Sequence, residues 1–251
     1  MVLWIFGYAS LIWKAGFEYD DRVIGFIKGY KRSFHLACFE HRGTVELPAR
    51  VATLEPDEEA ICWGAAYCIK DAEAARRALA YLHVRECEYD TIKTVELFTE
   101  NSPKTAVLSG VQVFMSTTGS RYFLGGAAKE EIALQIAVAT GPSGPNCDYL
   151  FRLVEGLREI GHEDEEVIEL ATLVRKFRNE LQVHGINCLR AYTKESTKFA
   201  AIVSALAQSS AAAVPPKLIA GVKISGLQSM SLNQLPCSPR LVKSRVLQLG
   251  R

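Results

Sequence analysis

Residues 2–13 read Val2-Leu3-Trp4-Ile5-Phe6-Gly7-Tyr8-Ala9-Ser10-Leu11-Ile12-Trp13, an apolar run that stops at a glycine and passes into a turn of small residues. The run from Val2 to Phe6 has no basic residues ahead of it and is too short for a signal-peptide core, so it reads as a buried strand. Small side chains at a strand end leave backbone N–H groups free to face a ligand, which suits a carboxylate or a developing oxyanion. The bare pattern is weak, because most strand-glycine turns only reverse the chain.

Outward from this segment, the first half of the chain predicts strands over 23–27, 34–39, 51–54 and 60–69, bounded by turn-formers such as Gly43, Pro48 and Pro56. Two more strands are expected over 91–98 and 106–115. Between these groups lies one helix, opened by Asp71 as N-cap, with Ala75, Ala78, Leu79 and Leu82 at helical spacing and an end near Val84. The second half turns helical. A helix is expected over 129–139, a second begins with Asn146 as cap and carries Leu150, Leu153, Val154 and Leu157 on one face, and a third starts at Asp164. The expected class is α+β, with one domain over residues 1–183. Residues 184–251 lose this periodicity, become Ala-, Ser- and Pro-containing, and are expected to form a divergent, poorly ordered extension.

Composition narrows the function. The formal net charge is +1, but the last acidic residue is Glu195, and the seven basic residues beyond it leave residues 1–195 with 22 basic against 28 acidic side chains. A mildly acidic globular part has no electrostatic footprint for nucleic acid. No stretch approaches the roughly 18 apolar residues that span a bilayer. Seven cysteines (38, 62, 68, 87, 147, 188, 237) make an odd set with no CxxC pair, which points to free thiols in a reducing cytoplasm. The five histidines (35, 41, 83, 162, 184) show no paired ligand spacing, so neither a metal nor a cofactor is expected.

Among side chains able to carry chemistry, Glu86 stands at the exit of the predicted helix, beside Val84 and Arg85, where partial desolvation would raise its carboxyl pKa; taken alone, it reads as an ordinary helix-end glutamate. Glu88, Asp90 and Glu96 compete with it, and the residues alone do not choose among them. Cys87 has no histidine or helix N-terminus placed to make it a thiolate.

Seven segments in one order settle the comparison: WIFGYASLIW (4–13), GFIKGYKRSFHLACFEHRG (25–43), LPARVATLE (47–55), ICWGAAYCI (61–69), YLHVRECEYD (81–90), RYFLGGA (121–127) and ATGPSGPNCDYLFRL (139–153). Over about residues 1–183 the chain resembles the ChaC family of glutathione-specific γ-glutamyl cyclotransferases, its plant members above all. The resemblance implies a curved, barrel-like sheet surrounded by helices. It also implies cleavage of glutathione to 5-oxoproline and cysteinylglycine, without cofactor, in the cytoplasm. The family's Tyr-Gly-Ser-Leu loop, which holds the γ-glutamyl group, falls on Tyr8-Ala9-Ser10-Leu11, with Gly7 and Ile12 flanking it as further substrate-binding positions. The family's catalytic glutamate, in a Tyr-Leu-x-x-Arg-Glu context, falls on Glu86, and a tyrosine after the Gly-Pro-Ser-Gly turn falls on Tyr149, expected to orient substrate. One departure stands out. Ala9 replaces the family's glycine, and if the loop needs φ > 0 there, the methyl costs about 1 kcal/mol. A cyclotransferase for other γ-glutamyl compounds and a non-catalytic γ-glutamyl-binding module are the two alternatives.

Overall fold

The computed structural model describes residues 2–185. The chain runs β1 (Leu3–Gly7), a 3-10 turn (Ser10–Ile12), β2 (Asp21–Cys38), β3 (Ala49–Ile69), α1 (Ala72–Arg85), β4 (Thr91–Leu97), β5 (Leu108–Met115), α2 (Lys129–Val138), α3 (Asn146–Glu159) and α4 (Glu165–His184). The five strands form one mixed sheet in the order β2-β3-β1-β5-β4. β1 pairs antiparallel with β3, from Leu3 opposite Ile69 to Gly7 opposite Ala65, and parallel with β5. The sheet is not closed. Phe26 of β2 and Phe98, just past β4, exchange N–H···O bonds of 2.8 and 2.9 Å as an isolated bridge between the two outer edges.

The apolar run that opens the chain is explained by its central position. Leu3 and Ile5 point to a core beneath α1, with Ala75, Ala78 and Leu82, whereas Trp4 and Phe6 point to the larger core beneath α2, α3 and α4. A strand covered on both faces carries apolar residues at every position instead of alternating.

The four predicted strands 23–27, 34–39, 51–54 and 60–69 merge into two long ones. Pro56 does not end a strand: it lies opposite Tyr30, where the β2–β3 register shifts. Proline is tolerated at such an irregularity because no ladder donor is required there, and Gly29, at φ +78°, supplies the turn on the opposite strand. Predicted helix starts hold at Asp71 and Asp164, whose carboxylates accept from Ala74 N–H at 2.8 Å and Val167 N–H at 3.2 Å. The start at Asn146 differs. Pro145 takes the cap position, and Asn146, fully buried, uses its amide to pair both backbone groups of Arg50, each at 2.9 Å. Its side chain thus serves as a strand partner for β3 and ties α3 to the sheet. The expected core residues of α3 are all buried, and α4 buries Val167, Leu170, Val174 and Phe177. The expectation for 184–251 lies outside the described residues, apart from His184 and Gly185.

Candidate active site

β1 delivers the 8–12 loop to one end of the sheet, and α1 delivers Glu86 to the same place. The loop's turn is closed by Ile12 N–H donating to Ala9 O at 2.9 Å, so the amides of Ala9, Ser10 and Leu11 lie ahead of its first hydrogen bond. The loop is anchored from several sides. Tyr67 Oη donates to Leu11 O at 2.7 Å, buried Arg32 donates from Nε to Tyr8 O at 2.8 Å and from Nη2 to Trp63 O at 2.7 Å, and Arg32 also pairs with Asp164.

Arg85 binds this loop to the end of α1. Its Nη1 donates to Lys14 O and Ala15 O at 2.6 and 2.9 Å, and its Nη2 donates to Ser10 Oγ at 2.7 Å. The neighbouring Glu86 is the C-cap of α1, held by its N–H to Leu82 O at 2.8 Å. Arg85 Nε lies 3.1 Å from Glu86 Oε1, near enough for charge attraction, yet the pair lacks hydrogen-bond alignment and this buried oxygen accepts no hydrogen bond. Burial pushes the Glu86 carboxyl up to about 7, Arg85 opposes the shift, and Glu88 adds to it.

Phe6, Tyr8, Ala9, Leu11, Glu86 and Tyr89 are among the residues around a small cavity at the loop. A cleft of about 620 Å³ that shares Ser10, Glu86 and Tyr89 with it is lined also by Lys14, His41, Arg42 and Tyr149, a size within the roughly 300–1,000 Å³ of small-molecule sites. Three tyrosines surround the carboxylate. Tyr8 Oη donates to Phe114 O at 3.0 Å, Tyr89 Oη donates to Ala52 O at 2.7 Å, and Tyr149 Oη accepts from Ala52 N–H at 3.1 Å. Burial raises the pKa of all three phenols, with the Glu86 charge adding to it, so they are neutral dipoles at the site.

The structure separates the competing carboxylates. Asp90 is taken up by Thr117, whose N–H and Oγ1 donate at 2.8 and 2.6 Å, and Glu96 is exposed. Glu88 is buried and lines the same cleft as Glu86, but it lies with His41 and Cys87 and is not among the residues around the small cavity that Glu86 shares with the loop. The Cys87 thiol is pushed up to about 11 by burial and by Glu88, which leaves it protonated. Arg32, Arg85 as a loop clamp, and Tyr89 were not legible as site residues. Arg32 sits in the polar run Tyr30-Lys31-Arg32-Ser33, and only the register of β2 turns it inward.

Ala9 has φ −138°, so the left-handed conformation that would demand glycine is not adopted. The loop's glycine requirement lies instead at Gly7, where an added Cβ would stand 2.4 Å from Leu11 Cβ. Ala9→Gly is therefore expected to leave kcat/KM within about twofold of the parent, while extra unfolded-state freedom lowers stability by about 0.4–1 kcal/mol. Steady-state kinetics with a thermal melt checks both, and a fivefold rise in kcat/KM would restore the idea of a strained loop.

Comparison with known proteins agrees with this geometry. The family model described as ChaC-like protein matches residues 3–177. The chain is 54% identical over 180 residues to gamma-glutamylcyclotransferase 2-1 of Arabidopsis thaliana, covering 70% of this chain and 83% of that protein. It is 38% identical over 167 residues to the human glutathione-specific gamma-glutamylcyclotransferase 1, covering 65% of this chain and 73% of the human one. A crystal structure of the yeast cyclotransferase specific to glutathione superposes with a TM-score of 0.65 at 29% identity, covering 71% of this chain and 98% of the yeast one. With the family model matched over most of the described residues, this chain belongs to the ChaC-like family.

Proposed function

We propose that the protein is a γ-glutamyl cyclotransferase that splits glutathione into 5-oxoproline and cysteinylglycine, with Glu86 as its proton-transfer group. The observation that carries this reading is the placement of the Glu86 carboxylate, with a buried oxygen free of hydrogen bonds, in one small cavity with residues of the 8–12 loop. The names of the relatives supply the substrate.

The reaction is an internal aminolysis. The substrate α-amine attacks its own γ-carbonyl carbon, the N–C bond of a five-membered lactam forms, and the γ-amide bond to the cysteinyl nitrogen breaks. No water is consumed. Glu86 takes a proton from the attacking nitrogen and returns it to the departing one, a double role suited to a carboxyl poised near neutrality. The site's other task is to bend the glutamyl chain until nitrogen and carbonyl carbon stand about 3–3.5 Å apart. The amides of Ala9, Ser10 and Leu11 bind the α-carboxylate or the carbonyl oxygen, Gly7 and Ile12 fix that loop, and Tyr149 orients the substrate from the cleft wall. Lys14 and Arg42, on the cleft wall, suit the glycine carboxylate of glutathione.

Among the described residues no helix is long and apolar enough to cross a membrane. Cys38, Cys62, Cys68, Cys87 and Cys147 are all free, which suits a reducing compartment, and we place the enzyme in the cytoplasm on that ground. Chromatography of the products from glutathione, γ-glutamylalanine and a γ-glutamylamine, offered separately, tests the reading. Release of 5-oxoproline from glutathione alone is expected. Equal release from all three would broaden the substrate class, and binding without 5-oxoproline would make the protein a non-catalytic module.

A further inference from the structure

His41 and Glu88, on the wall of the same cleft, belong to a second cluster that the reaction does not use. His41, on the loop between β2 and β3, comes together with Cys87 and Glu88, just beyond α1, so that one ligand-type atom from each lies within 4.8 Å of the others. The loop carrying His41 is held in place: His41 O accepts from Ser143 N–H at 2.8 Å, and the side chain of Arg42 donates from Nη1 to Pro145 O at 3.2 Å. Two of the three side chains present a buried atom with no hydrogen-bond partner, Nε2 of His41 and Oε1 of Glu88. Glu88 is only 5% exposed, and a carboxylate so deeply buried ordinarily has every oxygen satisfied.

We propose that His41, Cys87 and Glu88 form a binding site for a borderline-soft divalent cation of the Zn²⁺ type. The donor set is one imidazole nitrogen, one sulfur and one carboxylate oxygen, which suits zinc and not the all-oxygen shells of magnesium or calcium. Spacing agrees. Cys87 Sγ lies 3.5 Å from Glu88 Oε2, close to the ~3.5 Å between two tetrahedral ligands at Zn–S of about 2.3 Å and Zn–O of about 2.1 Å. Binding releases the Cys87 thiol proton to solvent, and thiolate and carboxylate then balance the dication. Three protein ligands leave one tetrahedral position open for water or an added ligand. The cluster escapes a spacing search because its donors come from segments more than forty residues apart.

The test uses the full-length chain, freed of metal by chelation and titrated with Zn²⁺, and separately with Co²⁺ as a coloured stand-in. One equivalent of Co²⁺ is expected to produce a near-ultraviolet thiolate-to-cobalt charge-transfer band that Zn²⁺ displaces. Cys87→Ser is expected to abolish the band. Glu88→Gln and His41→Gln are expected to weaken Co²⁺ binding by more than about 100-fold, beyond the loss of an outer-sphere partner. Circular dichroism of each metal-free variant checks folding, and the exposed Cys87 makes Cys87→Ser decisive even where the buried variants unfold. No band in the parent chain, or a band that survives Cys87→Ser and so belongs to other thiols such as Cys188 or Cys237, would overturn the proposal.

Discussion

Replacing Glu86 by glutamine is expected to remove turnover while making the folded protein more stable above neutral pH. The loss follows from chemistry: an amide of the same shape cannot take a proton from the substrate amine, and such a group contributes roughly 10²–10⁴-fold to a rate. Glutathione binding should persist, because the loop, Arg85 and the tyrosines are untouched. The stability gain follows from linkage. The Glu86 carboxyl titrates near 7 when folded, against 4.5 in its ordinary state, so ionising it costs the folded chain more than the unfolded one. That cost is absent below about 4.5, grows as the pH rises toward 7, and stands in full above it, at about 3 kcal/mol for a shift of this size. Glutamine carries no charge at any pH. Melts of parent and variant in chelator-containing buffer should therefore coincide at low pH and diverge by several degrees at high pH, with the variant higher. A variant with near-normal kcat would move the proton-transfer role to another group in the cleft. Equal melting curves at high pH would show that the carboxylate is well solvated.

Much of this architecture can be read from residues, because burial leaves a periodic trace. The helix over Ala72–Arg85 with its Asp71 cap, the continuous apolar run of β1, and the inward face of α3 all follow from spacing. What spacing does not carry is pairing. Pro56 reads as a strand end, yet a register shift lets the ladder run past it, and Asn146 reads as a cap, yet the approach of β3 gives its amide a better partner in Arg50. The site divides in the same way. Glu86 and the loop are continuous segments and are found through family resemblance. Arg32, the Arg85 clamp and the His41–Glu88 pairing depend on which distant segments the sheet brings together. The role of glycine in the loop is instructive, since a sequence pattern marks position 9 as the departure while the contacts place the steric demand two residues earlier.

That demand yields the second large effect. Gly7 is not among the positive-φ glycines, so its need is for space. A methyl there would lie 2.4 Å from Leu11 Cβ and 3.4 Å from two Leu11 backbone carbons. Leu11 has little room to retreat: its side chain packs with Leu82 and Phe114, and its carbonyl accepts from Tyr67 Oη. Retreat on the other side is closed too, because the Gly7 carbonyl lies so near Gly64 that a Cβ there would meet it at 2.3 Å. Gly7→Ala must therefore shift the loop as a unit, carrying Ser10 away from Arg85 and the amides of 9–11 away from Glu86. Overpacking of this kind costs about 1–3 kcal/mol of stability, and a displacement near 1 Å at a reacting centre costs about 100-fold in rate. The expected result is a folded protein with a lower Tm and a kcat/KM reduced about 100-fold, in contrast to the near-neutral Ala9→Gly. Parent-like kinetics and stability in Gly7→Ala would mean that the loop is soft enough to absorb a methyl, and the positioning role given to its amides would have to be abandoned.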